Sequence, residues 1–264
     1  MELKTGWTFL GSLLGLGGAA GLYFGLGVGW IALGVVAGVV LIGYIVAAVA
    51  AAPRDRTTGF GEFMRGLLIG FNAGLNGFLA FFIVAALAGQ PAGLGVGIGL
   101  GVFQYLSVFG PISQNGFYQG MLGWLTWFMP MSWPIVGFGF TFLLFSAFLW
   151  AITGGQVRYL RVESLRVEWK TGTIFIKGGL VANLNTLDTA FNMGNFSFVD
   201  YKSTAWHMEH EAGHTLNLAA FGAIFHVLGA FDENATGRGA HAFSERMAES
   251  NSTGKDDDNI PMWA

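Results

Sequence analysis

The strongest constraint on this chain is a pair of long stretches without charge. From Thr5 to Pro53, and again from Gly66 to Val157, there is no Asp, Glu, Lys, Arg or His. One helical crossing of a bilayer needs about 20 apolar residues, so each stretch has room for several crossings. The chain therefore reads as an integral membrane protein, its partner the lipid bilayer, with a polar C-terminal third. Its 264 residues are 53% hydrophobic and only 11% charged, which fits that division. The apolar run from Trp7 is too long for a cleavable signal peptide, and a second run follows at once. There is no cysteine, so disulfides are excluded. No basic stripe points to nucleic acid.

Glycine and proline punctuate the apolar part into about six transmembrane helices. Trp7 to about Gly27 and Gly29 to Ala51 meet at Gly25-Leu26-Gly27-Val28-Gly29, and Pro53-Arg54-Asp55-Arg56 ends the second. A polar loop with the edge Phe60, Phe63, Met64 and Arg65 leads into a span from about Gly66 to Ala88. Gly89-Gln90-Pro91 breaks it, and the fourth span runs from about Ala92 to Phe109. Phe117 to Met129 is short, read either as a tilted span or as a re-entrant segment. The last span runs from about Trp133 to Thr153. Six crossings place Lys4, the Arg54/Arg56/Arg65 loop and Arg158 to Lys170 on one side, which the positive-inside rule makes cytoplasmic. A re-entrant fifth segment splits the termini.

Runs such as Gly15-Leu16-Gly17-Gly18 and the alternation Gly93, Gly95, Gly97, Gly99, Gly101 loosely match dinucleotide fingerprints, but no strand precedes them. Small residues four apart let membrane helices approach closely. They are read as packing surfaces, within the chain or between copies or partners in a homo- or hetero-oligomer. Asn72 and Asn76 share a face of the third span and are expected to form interhelical hydrogen bonds.

The chain divides at about residue 155, giving a multi-span domain over 1–155, a small α+β domain over 156–250 and a polar acidic tail over 251–264. Val157 to Trp169 and Thr173 to Lys177 read as strands around the turn Lys170-Thr171-Gly172. The Asn-rich segment Asn183 to Asn192 reads as turns. Asn195 to Val199 alternates and reads as a further strand of an antiparallel sheet. Ser203 or Thr204 then caps a helix.

That helix carries His210-Glu211-Ala212-Gly213-His214, the pattern H-E-x-x-H. Positions four apart share a helix face, so both imidazoles can bind one metal ion. Glu211 then stands beside the water such a metal activates, in the position of a general base. All five histidines lie between His207 and His241. A catalytic zinc site needs a third protein ligand. His207 points along the helix beyond the metal, and Glu209 points away. Glu233 falls in a stretch that reads as a loop, and His241 begins the next helix. Glu245 lies on a helix-forming stretch, Ala242 to Glu249, which favours it over Glu233 because a helix places a ligand more rigidly than a loop. Glu249, one turn on, is placed to hold a ligating histidine through its other ring nitrogen.

In these residues the C-terminal third resembles the gluzincin zinc metallopeptidases, especially their small membrane-anchored members. The resemblance implies a zincin-like layout of small sheet, active-site helix and second helix. It implies Zn2+ held by His210, His214 and Glu245, with Glu211 as base and Phe196 to Val199 as the edge strand along which a peptide or protein substrate pairs. The function expected on this basis is an integral membrane zinc metallopeptidase, its catalytic part just outside the bundle on the cytoplasmic face. A second reading is a non-catalytic zincin-like subunit of a membrane assembly. A transporter is disfavoured, for the apolar runs hold no ionisable residue to couple ions.

Overall fold

The computed structural model describes residues 2–27, 29–50, 59–113, 115–157, 160–180, 190–199, 205–236 and 239–249. The helices are α1 (Glu2–Leu26), α2 (Trp30–Ala50), α3 (Gly59–Ala88), α4 (Gln90–Tyr105), α5 (Gly110–Ser113), α6 (Gly116–Leu125) and α7 (Trp133–Ile152). Four strands follow, β1 (Val162–Glu168), β2 (Thr173–Gly178), β3 (Ala190–Met193) and β4 (Phe196–Val199). Then come α8 (Ala205–Ala235) and α9 (Phe243–Glu249). Arg54 and Arg56, the capping residues Ser203 and Thr204, and the acidic tail lie outside the described residues.

The helix ends follow their punctuation. Gly27 breaks α1 from α2 at φ 66°, and Gly89 breaks α3 from α4 at φ 87°, with Pro91 in the first turn of α4. Asn115 caps α6, its Oδ1 accepting from the backbone N–H of Phe117 and Tyr118 at 3.0 and 3.2 Å.

Six helices are long and apolar enough to cross a membrane, but they are not the six expected. They are Gly6–Leu26, Trp30–Ala50, Gly59–Ala88, Gln90–Val108, Trp133–Ile152 and Ala205–Ala235. Phe117 to Met129 is not among them: α6 has 10 residues and spans about 15 Å, half of a bilayer's apolar core. Five qualifying helices therefore precede the sheet. If each crosses, Lys4 and the Arg161–Lys170 stretch fall on opposite sides, and the charge bias that put both inside is lost.

The bundle is held by backbone-to-backbone contact through glycine. On α1, Gly11 and Gly15 lie against the Phe63 and Leu67 carbonyls of α3; on α3, Gly66 and Gly70 lie against the Thr8 and Ser12 carbonyls of α1. Across α3 and α4, Gly77, Gly93, Gly97 and Gly101 serve the same purpose. The spacing of four puts each set on one helix face, so the glycines act as packing surfaces and as no nucleotide loop.

The expected loop edge of Phe60, Phe63, Met64 and Arg65 lies on α3 instead. Arg65 is not in a loop; α3 begins at Gly59 and carries it inward, 3% exposed. It pairs with Glu62 one turn earlier at 2.5 Å, and Glu62 also accepts from Thr8 Oγ1 at 2.9 Å. The bundle thus holds an ionisable pair, which the charge-free reading of the spans did not include.

The sheet is mixed, where an antiparallel one was expected, with strand order β1-β2-β4-β3. β1 and β2 form the expected hairpin, but β4 inserts parallel to β2, in register Ile174 with Phe196. Phe196–Val199 is therefore an interior strand, and all four of its residues are buried. The edge on that side is β3, inside the Asn-rich segment that read as turns. Asn195 fastens the sheet to α6 by donating to the Gly123 carbonyl at 3.1 Å.

Helix α8 is not straight. His214 and His226 are twelve positions apart, about 18 Å along a straight helix, yet their ring centroids lie 6.1 Å apart. The chain reverses at Gly222, which has φ 83° and ψ 175°. A first limb up to Phe221 enters the bundle and a second limb from Ala223 returns. The carbonyls that the reversal orphans are taken by amides of the membrane helices. Asn72 Nδ2 donates to the Ala220 carbonyl at 3.0 Å, and Gln104 Nε2 donates to that of Ala219 at 2.7 Å. Asn76 Nδ2 donates to Gln104 Oε1 at 2.8 Å, while its own Oδ1 accepts from the Met131 backbone at 2.9 Å. The Ala223 N–H finds the Met131 carbonyl at 2.9 Å. Asn76 thus makes the expected interhelical bond, to Gln104 of α4, while Asn72 bonds to the chain reversal. Irregular backbone at such a place is tolerated only when protein groups satisfy it. The motif helix accordingly sits within the bundle and not beside it. One apolar core joins Leu68, Phe71 and Leu122 to Leu216, Phe225 and Met247.

Candidate metal centre

The first limb of α8 presents His210 and His214 on one face, as i, i+4 geometry requires. The short helix α9 lies across them, and three contacts set its position. Asp232 Oδ2, on the returning limb, accepts the first N–H of α9, from Phe243, at 3.2 Å, and also accepts from Tyr44 Oη of α2 at 2.9 Å. Asn217 Nδ2, on the entering limb, donates to the Ser244 carbonyl at 3.1 Å. Close approach is possible because Gly213 and Gly229 lie directly against Ala248 and Ser244, where any side chain would collide.

This brings three ligand atoms to one point. Glu245 Oε2 lies 3.1 Å from His210 Nε2 and 3.1 Å from His214 Nε2, and the two nitrogens are 3.2 Å apart. Among the described residues it is the group of His and acidic side chains disposed to hold a metal ion. Glu249 Oε2 lies 2.6 Å from His210 Nδ1, and its other oxygen accepts from Trp206 Nε1 at 3.1 Å. A carboxylate at Nδ1 fixes the ring proton there and turns the Nε2 lone pair toward Glu245 and His214. With both rings neutral, the three are electron-pair donors that could hold a cation between them. Tetrahedral zinc with bonds of about 2.0–2.1 Å needs ligand atoms about 3.3 Å apart, so the donor set fits the ion in chemistry and in spacing. Burial alone would raise the Glu245 carboxyl, but His214 and His210 beside it outweigh that and hold it well below the ordinary carboxylate range.

The cluster forms one wall of a cleft with about 90 Å³ of water-accessible space. Glu211, buried to 6% exposure, lines it beside the histidines. The opposite wall is β3, through Ala190, Phe191 and Asn192, and the returning limb adds His226 and Glu233. Glu233 lies on α8 and not in a loop, and it reaches the cleft without joining the three ligand atoms. Glu209 turns into a separate cavity with Met208 and Ala212. His207 packs on Trp206, with ring centroids 4.7 Å apart, and His241 lies exposed in the turn before α9.

His226 was not singled out by sequence. No local signal marks it, because only the reversal at Gly222 brings its ring beside that of His214. Comparison with protein-family models, with curated proteins and with solved structures finds no match for this chain.

Proposed function

We propose that the chain is a membrane-embedded, zinc-dependent metallopeptidase. The observation that carries the reading is the convergence of His210, His214 and Glu245 within 3.2 Å of one another, with Glu211 in the same cleft. Zinc, when bound there, supplies a Lewis acid for the scissile carbonyl and lowers the pKa of water. Glu211 then takes the proton from the attacking water and delivers it to the leaving amine. Glu249 keeps His210 in the ligating tautomer and orientation. Among the described strands β3 is the outermost on its side of the sheet, and it lines the cleft, which favours an extended polypeptide as substrate.

Metal content and hydrolysis test this. The purified chain should carry about one zinc, as a site with three protein ligands implies. Glu211→Gln should keep that zinc and lose peptidase activity by about a thousandfold or more, the scale set by removing a general base together with water positioning. Full activity in Glu211→Gln would reject the assignment.

A further inference from the structure

The contacts of α8 show from which side it enters the bundle. Its returning limb leads from Gly222 to Asp232, which accepts from Tyr44 Oη of α2 at 2.9 Å. Tyr44 stands six positions from Ala50, the end of α2 that leads to Arg54 and Arg56. The reversal itself meets Asn72, thirteen positions in from the start of α3 on that same side. The limb therefore returns toward the Arg54 side, and the entering limb starts there. The sheet lies along the entering limb. Thr173 Oγ1 donates to Thr215 Oγ1, and Asn192 Nδ2 donates to the Glu211 carbonyl, both at 2.8 Å.

The segment between α4 and the sheet reaches the same depth. Met131, between α6 and α7, donates its N–H to Asn76 Oδ1 and accepts the Ala223 N–H at its carbonyl, both at 2.9 Å. Asn76 stands twelve positions from Ala88, the far end of α3. Helix α7 thus sets out about 18 Å from the Gly89 turn, well inside a core about 30 Å thick. From there it runs with the sheet. Gly139 lies against Met193 and Phe196, and Ser146 Oγ accepts the Leu180 N–H at 3.2 Å, past the end of β2. Thr173, at the start of β2, bonds near the reversal, so α7 heads back to the Arg54 side.

We propose that α6 and α7 form a second re-entrant hairpin, tip to tip with α8 at Met131, and that of the described helices α1 to α4 alone cross the bilayer. The outer face of α7, where Phe138, Phe145, Phe148 and Ile152 are exposed, is covered by acyl chains of the leaflet on the Arg54 side. Four crossings place Lys4, Arg54, Arg56 and the Arg161–Lys177 stretch on one side, while the turns at Gly27 and Gly89 carry no charge. That is the bias the positive-inside rule describes. A crossing α7 would instead hold β1 beside it in the bilayer, with Glu163 and Arg166 exposed where lipid offers a charge no partner. From Trp133 to Ile152 there is no charged residue, which suits acyl chains and not water. The two tips satisfy each other's backbone, the condition for irregular chain at such depth.

The chain has no cysteine, so an introduced one reports alone. The full chain, in sealed membrane vesicles of known orientation, is treated from each side with a membrane-impermeant maleimide. Gln90→Cys, exposed in the first turn of α4, marks the far side. Gly116→Cys and Glu163→Cys, exposed before α6 and after α7, should both label from the side opposite to Gln90→Cys. If Glu163→Cys labels from the same side as Gln90→Cys, α7 crosses and the proposal is overturned. A nitroxide on Phe138→Cys, Phe145→Cys or Ile152→Cys reads what covers the face. The ratio of relaxation by oxygen to that by a water-soluble nickel chelate should fall steadily from Phe138 to Ile152. A maximum at Phe145 is the profile of a crossing helix and refutes the hairpin. Dominance of the chelate at all three positions, or relaxation by neither agent, places water or protein there and refutes the lipid contact. Where Phe138→Cys fails to fold, Thr141→Cys, exposed nearby on α7, takes its place. Neither measurement uses metal or hydrolysis, so failure of the peptidase reading leaves this one standing.

Discussion

The wall made by α1, α3 and α4 and the hairpin of α8 both lie inside the same bundle, yet they are held in opposite ways. Apart from the buried group of Thr8, Glu62 and Arg65, the wall rests on a repeated contact. Gly11, Gly15, Gly66 and Gly70 repeat one contact along its length, and each removal of a side chain lets two backbones meet. The hairpin depends on one place, where Gly222 reverses the chain and Asn72 and Gln104 take the carbonyls left open. Small-residue packing distributes its stabilisation over many weak contacts. A polar clamp concentrates it, because each buried carbonyl without a partner costs about 1–3 kcal/mol. The lesson is that the bundle is built to be uniform and the ligand-bearing element to be pinned.

Substitution can break or sharpen that contrast. Gly66→Leu drives a side chain into the Thr8 backbone, and overpacking against backbone should cost about 3 kcal/mol or more. Thermal unfolding in detergent should fall for the whole chain, with zinc lost only as the fold is lost. Gly222→Ala is the next largest effect. Its φ of 83° disfavours a side chain, and the new methyl meets Asn72, for a cost of about 2 kcal/mol. Here zinc occupancy should fall while helix content by circular dichroism stays put; equal loss of both would erase the distinction. Gly95→Ala should have the smallest effect and the opposite sign. Among the described residues a side-chain methyl at Gly95 meets nothing within 4 Å, and alanine in a helix gains up to about 1 kcal/mol over glycine. A clear loss of stability there would mean that the outer face of α4 is packed against something.

Much of this architecture is legible before any coordinates. The charge-free runs and the glycine breaks at Gly27 and Gly89 locate α1, α2, α4 and the end of α3 to within a few residues, but the start of α3 lies at Gly59 rather than near Gly66. The His210/His214 pair is readable from helical spacing, whereas Glu245 and Glu249 are reached only through a second helix-forming stretch and the resemblance to gluzincins. What escapes is set by contacts distant in sequence. Nothing local in Phe196–Val199 says that β2 will take it as a parallel neighbour, so a strand that is interior reads in the sequence as an edge. Arg65 reads as a loop residue because its partner, Glu62, is visible only once α3 is known to begin at Gly59. Gly222 sits in an apolar run that looks continuous, and its reversal needs Asn72, Asn76 and Gln104 from helices made more than a hundred residues earlier, a separation the bonds themselves record.

That separation has a consequence for how the protein is made. When α3 and α4 enter the membrane, the carbonyls of Ala219 and Ala220 do not yet exist. Asn76 and Gln104 can hold one another in the meantime through the bond they keep in the finished structure. The bundle thus carries a polar notch until α8 is made and fills it. Glu245 and Glu249 emerge after that hairpin. On the proposed reading, metal capture therefore follows acceptance of the α8 hairpin by the membrane part.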